Sequence, residues 1–234
     1  MTAPDLDQVA AADRVGRRGW HKHVELVATV LLAVATVMTA WSAFQANKWN
    51  AVQTRSYSAA SAHRTESTKA STLAGQQQIV DVLLFTDWLQ AMSSETGGRL
   101  PTAYVPDPGT YSTFLYNRFR PEFRPALDAW LADDPGTNAS APSSPFVMPE
   151  YRLKAAQESA TLEAAADASA ALARQATDRA GNYVLTTVLC ASVLFFCGIG
   201  TKLSTPRKRT AMVGIAGALL LTTLVILVNY PVHL

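Results

Sequence analysis

Cysteine is scarce in this chain, and its scarcity excludes two kinds of site. The 234 residues include two cysteines, Cys190 and Cys197, which lie in one apolar stretch. On a helix this spacing separates them by roughly 10 Å along the axis, which is too far for a disulfide. Because the rest of the chain lacks cysteine, the sequence offers neither a disulfide framework nor a cysteine-based metal site. We expect both thiols to be packing residues.

Charge is also scarce, and three stretches lack Asp, Glu, Lys and Arg altogether: 26–47, 181–201 and 210–234. Each is as long as the ~18 to 20 residues with which a helix crosses a hydrocarbon core. Buried core helices are the alternative, although three in one soluble fold of this size would be unusual. A cleaved secretory signal is a further alternative for the first stretch, but signals have only ~7 to 15 apolar residues. The sequence therefore predicts an integral membrane protein with three transmembrane helices, at 24–44, 183–201 and 211–231.

The 20 Lys and Arg residues predict the orientation of these spans. Four precede the first span and four lie in the short segment 202–210, and positive charge near span ends marks the cytoplasmic side. Residues 1–23 then form a cytoplasmic tail, 202–210 a basic cytoplasmic loop, and 45–182 and the C-terminus lie outside. Trp41, Tyr183 and Tyr230 fall at the outer span ends, where aromatic rings prefer to lie. The basic clusters set the topology and could also contact anionic lipid headgroups.

Signatures of catalysis and of ligand binding are missing. No nucleophile elbow, phosphate loop, dinucleotide fingerprint or zinc motif occurs, and the four histidines do not form a ligand set. The spans lack ionisable residues at depth, which argues against an energised transporter. The outer region has 12 basic and 14 acidic residues, so it has no electrostatic footprint for nucleic acid. We predict no enzyme activity, catalytic residue, cofactor or metal.

Proline divides the outer region, because nine of the 12 prolines lie between Pro101 and Pro149. The proline-free, alanine-rich flanks favour helix. We predict that they extend the first two spans outward as a helical-hairpin stalk, 45–75 with 150–182, although two separate solvated helices are the alternative. The first flank is the longer, and Gly75 is the expected point at which its helix breaks. Residues 76–149 would form a small helical head, giving an all-α membrane protein with this domain inserted between spans 1 and 2.

Small residues recur at helical spacing in two spans and predict helix-packing surfaces. In the first span and just beyond it they are Thr29, Ala33, Thr36, Ala40 and Ala43, and in the third they include Gly214 and Ala218. Hydroxyl side chains could instead line a pore in an oligomer, or could bond the backbone of their own helices. These hydroxyl residues are Thr29, Thr36, Thr186, Thr187, Ser192, Thr222 and Thr223.

The head begins with an amphipathic segment, IVDVLLFTDWLQAM, which predicts a helix that Gly97 and Gly98 end. Its apolar residues available for burial are Ile79, Val82, Leu83, Phe85, Leu89 and Met92. The later tract DDPGTNASAPSSPFVMP is either a linker or an extended strap that Phe146 and Met148 anchor to the head.

The motif RFRPEFRP is the candidate contact site of the head, for a partner or an anion. It contains Arg118, Phe119, Arg120, Glu122, Phe123 and Arg124. Guanidinium groups held beside aromatic rings bind carboxylate, phosphate or an acidic protein surface. They could equally stabilise the local fold, with Pro125 starting a helix and the arginines pairing with Asp128 or Glu122.

The runs WSAFQANKW, LAGQQQIVDVLLFTDWLQA, FRPEFRPALDAWLADDP and APSSPFVMPEYRL carry a resemblance. With the paired C-terminal spans, they resemble a family of uncharacterised, actinobacterial-like three-span membrane proteins with an external helical domain. The resemblance extends from Val24 onward and is most specific from Phe119 to Leu153. It implies this architecture and a bacterial plasma (inner) membrane location, and it transfers no catalytic residue.

Three functions remain open at this point. The sequence favours a non-enzymatic membrane protein that assembles as a homo-oligomer or with another envelope protein through its external domain. A homo-oligomeric channel or membrane sensor is the alternative, and an envelope enzyme is less consistent with the missing motifs. The bilayer itself is the one partner that the apolar spans predict directly.

Overall fold

The structure is a computed structural model that describes residues 6–232, with side chains from His23 onward. The described chain is helical and contains no strand. Its elements are α1 (Leu6–Thr96), α2 (Tyr111–Tyr116), α3 (Arg124–Ala132), a 3-10 turn (Pro145–Val147), α4 (Lys154–Lys202) and α5 (Pro206–Val228). Among the described residues, three helices are long and apolar enough to cross a membrane, within His23–Thr96, Lys154–Lys202 and Pro206–Val228. These features confirm the all-α class and support a multi-pass membrane protein.

The chain divides into two compact units. The first, here called the span unit, contains the described residues up to Tyr57 and from Ala170 onward. The second, here called the insert, is Ser58–Ser169. Residues 45–57 and 170–182, which belong to the predicted stalk, therefore fall in the span unit.

Most of the buried side chains of the span unit are small or polar, whereas many of its large apolar side chains are exposed. Its core residues include Ala35, Cys190, Val193, Cys197 and Ala216 from α1, α4 and α5. Its exposed residues include Val37, Leu185, Phe195, Leu221 and Val225. A soluble helical bundle buries its large apolar residues, whereas small residues inside and large ones outside suit helices in lipid. Both cysteines are buried and free, as expected of packing residues.

The predicted packing stripe of α1 does not lie on the face that is buried within the chain. Thr29, Ala33, Thr36, Ala40 and Ala43 are all exposed. The buried side chains are instead Ala28, Ala35, Met38, Ser42, Gln45, Ala46 and Trp49. Successive positions on a helix point about 100° apart, so positions one or two residues from a buried side chain lie on a different face.

In α5 the predicted packing residues Gly214 and Ala218 are likewise exposed within the chain. The buried residues of this helix are Val213, Ala216, Leu220 and Thr223.

Tyr183 of α4, which was predicted to lie at the membrane interface, is fully buried within the chain. Its hydroxyl donates a hydrogen bond to the carbonyl of Pro231 over 3.1 Å, and its ring packs edge-on against Tyr230.

Gly75 does not break α1, contrary to the prediction. The helix continues through it to Thr96, and nothing lies within 4 Å of the position that a Cβ would take. A glycine costs only about 1 kcal/mol in a helix interior, so the surrounding helix absorbs it. Gly97 and Gly98 do end the helix, as predicted: both have positive φ, and the Gly98 N–H donates to the Ser93 carbonyl over 2.8 Å.

The two long helices contact each other within the insert. The Ser67 hydroxyl lies 2.9 Å from the Ser159 carbonyl, and the Ser159 hydroxyl donates to the Ser67 carbonyl over 3.0 Å. Ala74, Leu153 and Ala155 form a small apolar cluster beside this contact. Small side chains allow the backbones to approach this closely, which explains why the flanks of the head are rich in alanine and serine.

Candidate functional site in the insert

An aromatic core organises the insert. The last turns of α1 supply Phe85, Trp88 and Met92 on one face, and Trp88 is fully buried. Phe123 lies at the start of α3, packs edge-on against Phe85, and stacks on Phe146 with ring centroids 5.2 Å apart. Aromatic pairs in such geometries contribute about 0.5–1.5 kcal/mol each beyond the area they bury. The tract around Phe146 is therefore a docked strap and not a free linker.

The strap is also held by a polar contact. The indole N–H of Trp130 donates to the carbonyl of Pro142 over 2.7 Å. Met148 packs against the same core, as predicted for an anchor. These contacts connect α3 to the segment that leads into α4.

A buried carboxylate lies at the edge of the aromatic core. Asp81 is fully buried one turn before Phe85, and it accepts two hydrogen bonds from Arg120, Nε to Oδ1 at 3.0 Å and Nη2 to Oδ2 at 2.7 Å. The Tyr151 hydroxyl donates to the same Oδ2 over 3.0 Å. Arg120 also donates to Glu122 over 2.9 Å. We call Asp81, Arg120, Glu122 and Tyr151 the charge network.

The charge network joins three segments that are distant in sequence: α1, the link between α2 and α3, and the segment before α4. Hydrogen bonding to Asp81 raises the pKa of Arg120 despite partial burial, so its charge is permanent. Burial raises the pKa of Tyr151, and the negative charge of Asp81 adds to this effect. Asp81 accepts hydrogen bonds from both Arg120 and Tyr151, so its buried charge is paired and the network links the three segments.

A polar cavity of about 380 Å³ lies beside the end of α1. Glu95, at its wall, accepts hydrogen bonds from both the backbone N–H and the hydroxyl of Ser112, and these bonds lower the pKa of its carboxyl. The Tyr104 hydroxyl lies 3.0 Å from that of Ser112 and 2.9 Å from that of Thr113. Glu95 thus stays ionised at neutral pH and fixes the start of α2, and neither histidine nor cysteine lines the cavity.

The predicted contact motif is mostly part of the fold. Phe119 and Phe123 are buried in the aromatic core, with 2% and 0% of their surface exposed. Arg118 stacks on the Phe114 ring, with its guanidinium carbon 3.4 Å from the ring centroid. Arg124 lies over the Tyr116 ring and donates to the Asn117 carbonyl over 3.2 Å.

The local-fold interpretation of the motif therefore has structural support. Arg120 pairs with Glu122, which is one of the two acidic residues that were predicted to pair with the arginines of the motif. Pro125 lies in the first turn of α3, where its fixed φ suits a helix start. Burial raises the pKa of Asp128, and the positive charge of Arg124 offsets this only in part.

Sequence reasoning missed Asp81 and Tyr151. The signal for Asp81 was a lone acid in the apolar run IVDVLLF, because an ionised group on the buried side of such a helix requires a partner. Its partner Arg120 is 39 positions away, and no local pattern identifies it.

A short part of the outward face of α1 in the insert is apolar, within 79–83, which the sequence did not predict. Ile79, Val80, Val82 and Leu83 are exposed by 62%, 47%, 39% and 60%. We call these four residues the apolar ridge. Three of them were expected in the core, but Asp81, Phe85 and Trp88 occupy the inward face. Clustered exposed apolar residues outside a membrane span are typical of a protein contact surface.

Metal binding has no structural support in the described part of the chain, where no group of three or more His, Cys, Asp or Glu residues could hold an ion. Comparison of the chain with protein-family models, curated proteins and solved structures finds no match. The resemblance to a bacterial membrane protein family therefore stays a prediction.

Proposed function

We propose that this chain is a non-enzymatic, three-span membrane protein that assembles through its helical insert, with the apolar ridge as the contact. The single observation that carries the proposal is the ridge itself. It places four large apolar side chains on consecutive turns of a helix whose other exposed positions nearby are Gln76, Gln78, Thr86 and Asp87. Covering such a surface removes apolar area from water and favours association.

The proposal includes the topology and the hairpin stalk with its head. We propose that the insert lies outside a bacterial plasma membrane. There the apolar ridge would join two copies of the chain or join this chain to another envelope protein. The Ser67–Ser159 contact supports pairing of the two long helices within the insert. The exposed Arg64–Asp167 pair, at 3.5 Å, agrees with this pairing and contributes little stability.

The channel alternative has weaker support. Every hydroxyl that was considered as a pore-lining group donates to the carbonyl four positions earlier on its own helix. These bonds are formed by Thr29, Thr36, Thr186, Thr187, Ser192, Thr222 and Thr223. A hydroxyl in this arrangement has already used its one donor.

The test is the mass of the purified full chain in mild detergent, compared with that of two variants. Ile79→Ser with Leu83→Ser removes the most exposed half of the ridge, and we expect it to lower the mass or to lose a partner recovered by crosslinking in cells. Val105→Ser with Val147→Ser is the matched control, because these residues are exposed by 80% and 63% elsewhere in the insert. Equal masses and equal crosslinks for both variants and for the unmodified chain would refute the proposal.

A further inference from the structure

A cleft in the span unit lies between α1 and α5, near the basic loop. Its volume is about 450 Å³, within the ~300–1,000 Å³ of ligand pockets. Its walls are apolar apart from His23 and Thr210 at one end. The lining residues are His23, Val24, Val27, Leu31, Thr210, Val213, Gly214 and Gly217. We call this the inner cleft.

Two glycines give the inner cleft its width. Nothing lies within 4 Å of the Cβ positions at Gly214 and Gly217. A side chain at either position would therefore extend into the cleft without a clash against the chain's own helices. An apolar, elongated opening on the outer surface of membrane helices fits a hydrocarbon chain.

The end of the cleft that carries Thr210 is strongly basic. Lys202, Arg207 and Lys208 are exposed, and the segment 201–210 contains no acidic residue. Glu25 is the acidic side chain nearby, and Arg209 lies 3.7 Å from its carboxylate. Arg209 therefore offsets Glu25, and the three exposed cations leave a net positive charge beside an apolar cleft.

From this combination we infer that the inner cleft binds an anionic phospholipid, with an acyl chain between α1 and α5 and the phosphate at the basic end of the cleft. The inference rests on the proposal that the span unit lies in a membrane. Charge complementarity selects the anionic headgroup, because each basic residue near a membrane surface strengthens binding to anionic lipid by about fivefold.

The experiment counts lipids that stay bound to the full chain. Protein is reconstituted in vesicles of equal phosphatidylglycerol and phosphatidylethanolamine, and insertion is first checked by resistance to alkaline carbonate. Native mass spectrometry after extraction in mild detergent then measures retained lipid. Failure to insert would refute the membrane proposal itself, whereas the lipid count tests the cleft in protein that has inserted.

Gly217→Leu fills the cleft, and Gly198→Leu is the matched control, because Gly198 lies on α4 and its Cβ position is equally open. We expect the unmodified chain and Gly198→Leu to retain phosphatidylglycerol, and Gly217→Leu to lose it. Arg207→Gln with Lys208→Gln should reduce the preference for phosphatidylglycerol by on the order of tenfold or more.

Three results would overturn the inference. One is equal retention of phosphatidylglycerol by Gly217→Leu and Gly198→Leu. Another is equal retention of the two lipids by the unmodified chain. The third is a lower oligomeric mass for Gly217→Leu without any change in bound lipid, which would assign the cleft to a second copy of the chain.

Discussion

Asp81 combines full burial with a negative charge, and its hydrogen bonds to Arg120 and Tyr151 compensate that charge. A substitution that removes the Asp81 carboxylate leaves Arg120 without its bidentate partner. Only 22% of the arginine side chain is exposed at this site. Breaking one side of a buried pair costs about 3–5 kcal/mol. Glu122 and partial solvent access reduce that cost here, because they still compensate the arginine.

We therefore expect Asp81→Asn to destabilise the insert by about 2–4 kcal/mol. The measurement is a denaturant titration of the full chain in mild detergent, followed by tryptophan fluorescence, to which Trp88 and Trp130 of the aromatic core contribute. Asp87→Asn, an exposed change on the same helix, is the control and should have little effect. In a double-mutant cycle, Asp81→Asn with Arg120→Gln should cost less than the two single changes summed. An additive result would contradict the role given to the charge network.

The phenol of Tyr151 predicts a specific dependence on pH. Burial raises its pKa above the ordinary value of 10.0, so in alkali the phenol ionises first in the unfolded chain. Its contribution to stability is therefore fully present below pH 10 and is lost as the pH rises through the folded-state pKa.

Tyr151→Phe should lose the hydrogen bond to Asp81 and be less stable at neutral pH by about 1.5–3 kcal/mol. Above pH 10 its free energy of unfolding should fall less steeply than that of the unmodified chain. Denaturant titrations over this pH range measure both effects. Tyr111→Phe, at a position exposed by 59%, is the control. Parallel alkaline slopes for Tyr151→Phe and the unmodified chain would show that this phenol is not the cause.

At the scale of the element, the part of α1 that lies in the insert contains one glycine, Gly75, which the helix tolerates, and two further glycines end the helix. Gly75 is exposed in the helix interior with free space around its Cβ position, whereas Gly97 has a φ of +67° in the turn that ends the helix. An added methyl group stabilises the first position by restricting the unfolded chain and strains the second.

Gly75→Ala should raise the free energy of unfolding by about 0.5–1 kcal/mol, and Gly97→Ala should lower it by about 1–2 kcal/mol. The opposite signs make each variant the control for the other in the same titration. A loss of stability on Gly75→Ala would indicate that α1 is not continuous at this position in solution.

At the scale of the whole molecule, the proposed topology predicts which sites a membrane-impermeant maleimide reaches in intact cells. The two native thiols are buried, so a single added cysteine reports its own position. We expect labelling of Asn138→Cys in the insert without permeabilisation, and labelling of Ser204→Cys in the basic loop only after it. Both positions are exposed. The reverse pattern would invert the orientation and refute the assignment of charge clusters to the cytoplasm.

Local chemistry in the sequence determined the helical class, the three apolar helices and several of their ends. Hydropathy over some 20 residues identifies a span whatever its neighbours are. Gly97 and Gly98 correctly predicted a helix end, and Pro125 correctly predicted a helix start. Glycine and proline act through their own backbone geometry, so the prediction needs no distant contact.

Only the tertiary structure decided which face of each helix is buried. The stripe from Thr29 to Ala43 is exposed within the chain, and Ile79, Val82 and Leu83 form an exposed ridge where a core was expected. A face is selected by what packs against it, and that depends on segments far away in the chain. Asp81 illustrates this dependence, because its partners Arg120 and Tyr151 are 39 and 70 positions distant and become neighbours only when the insert folds.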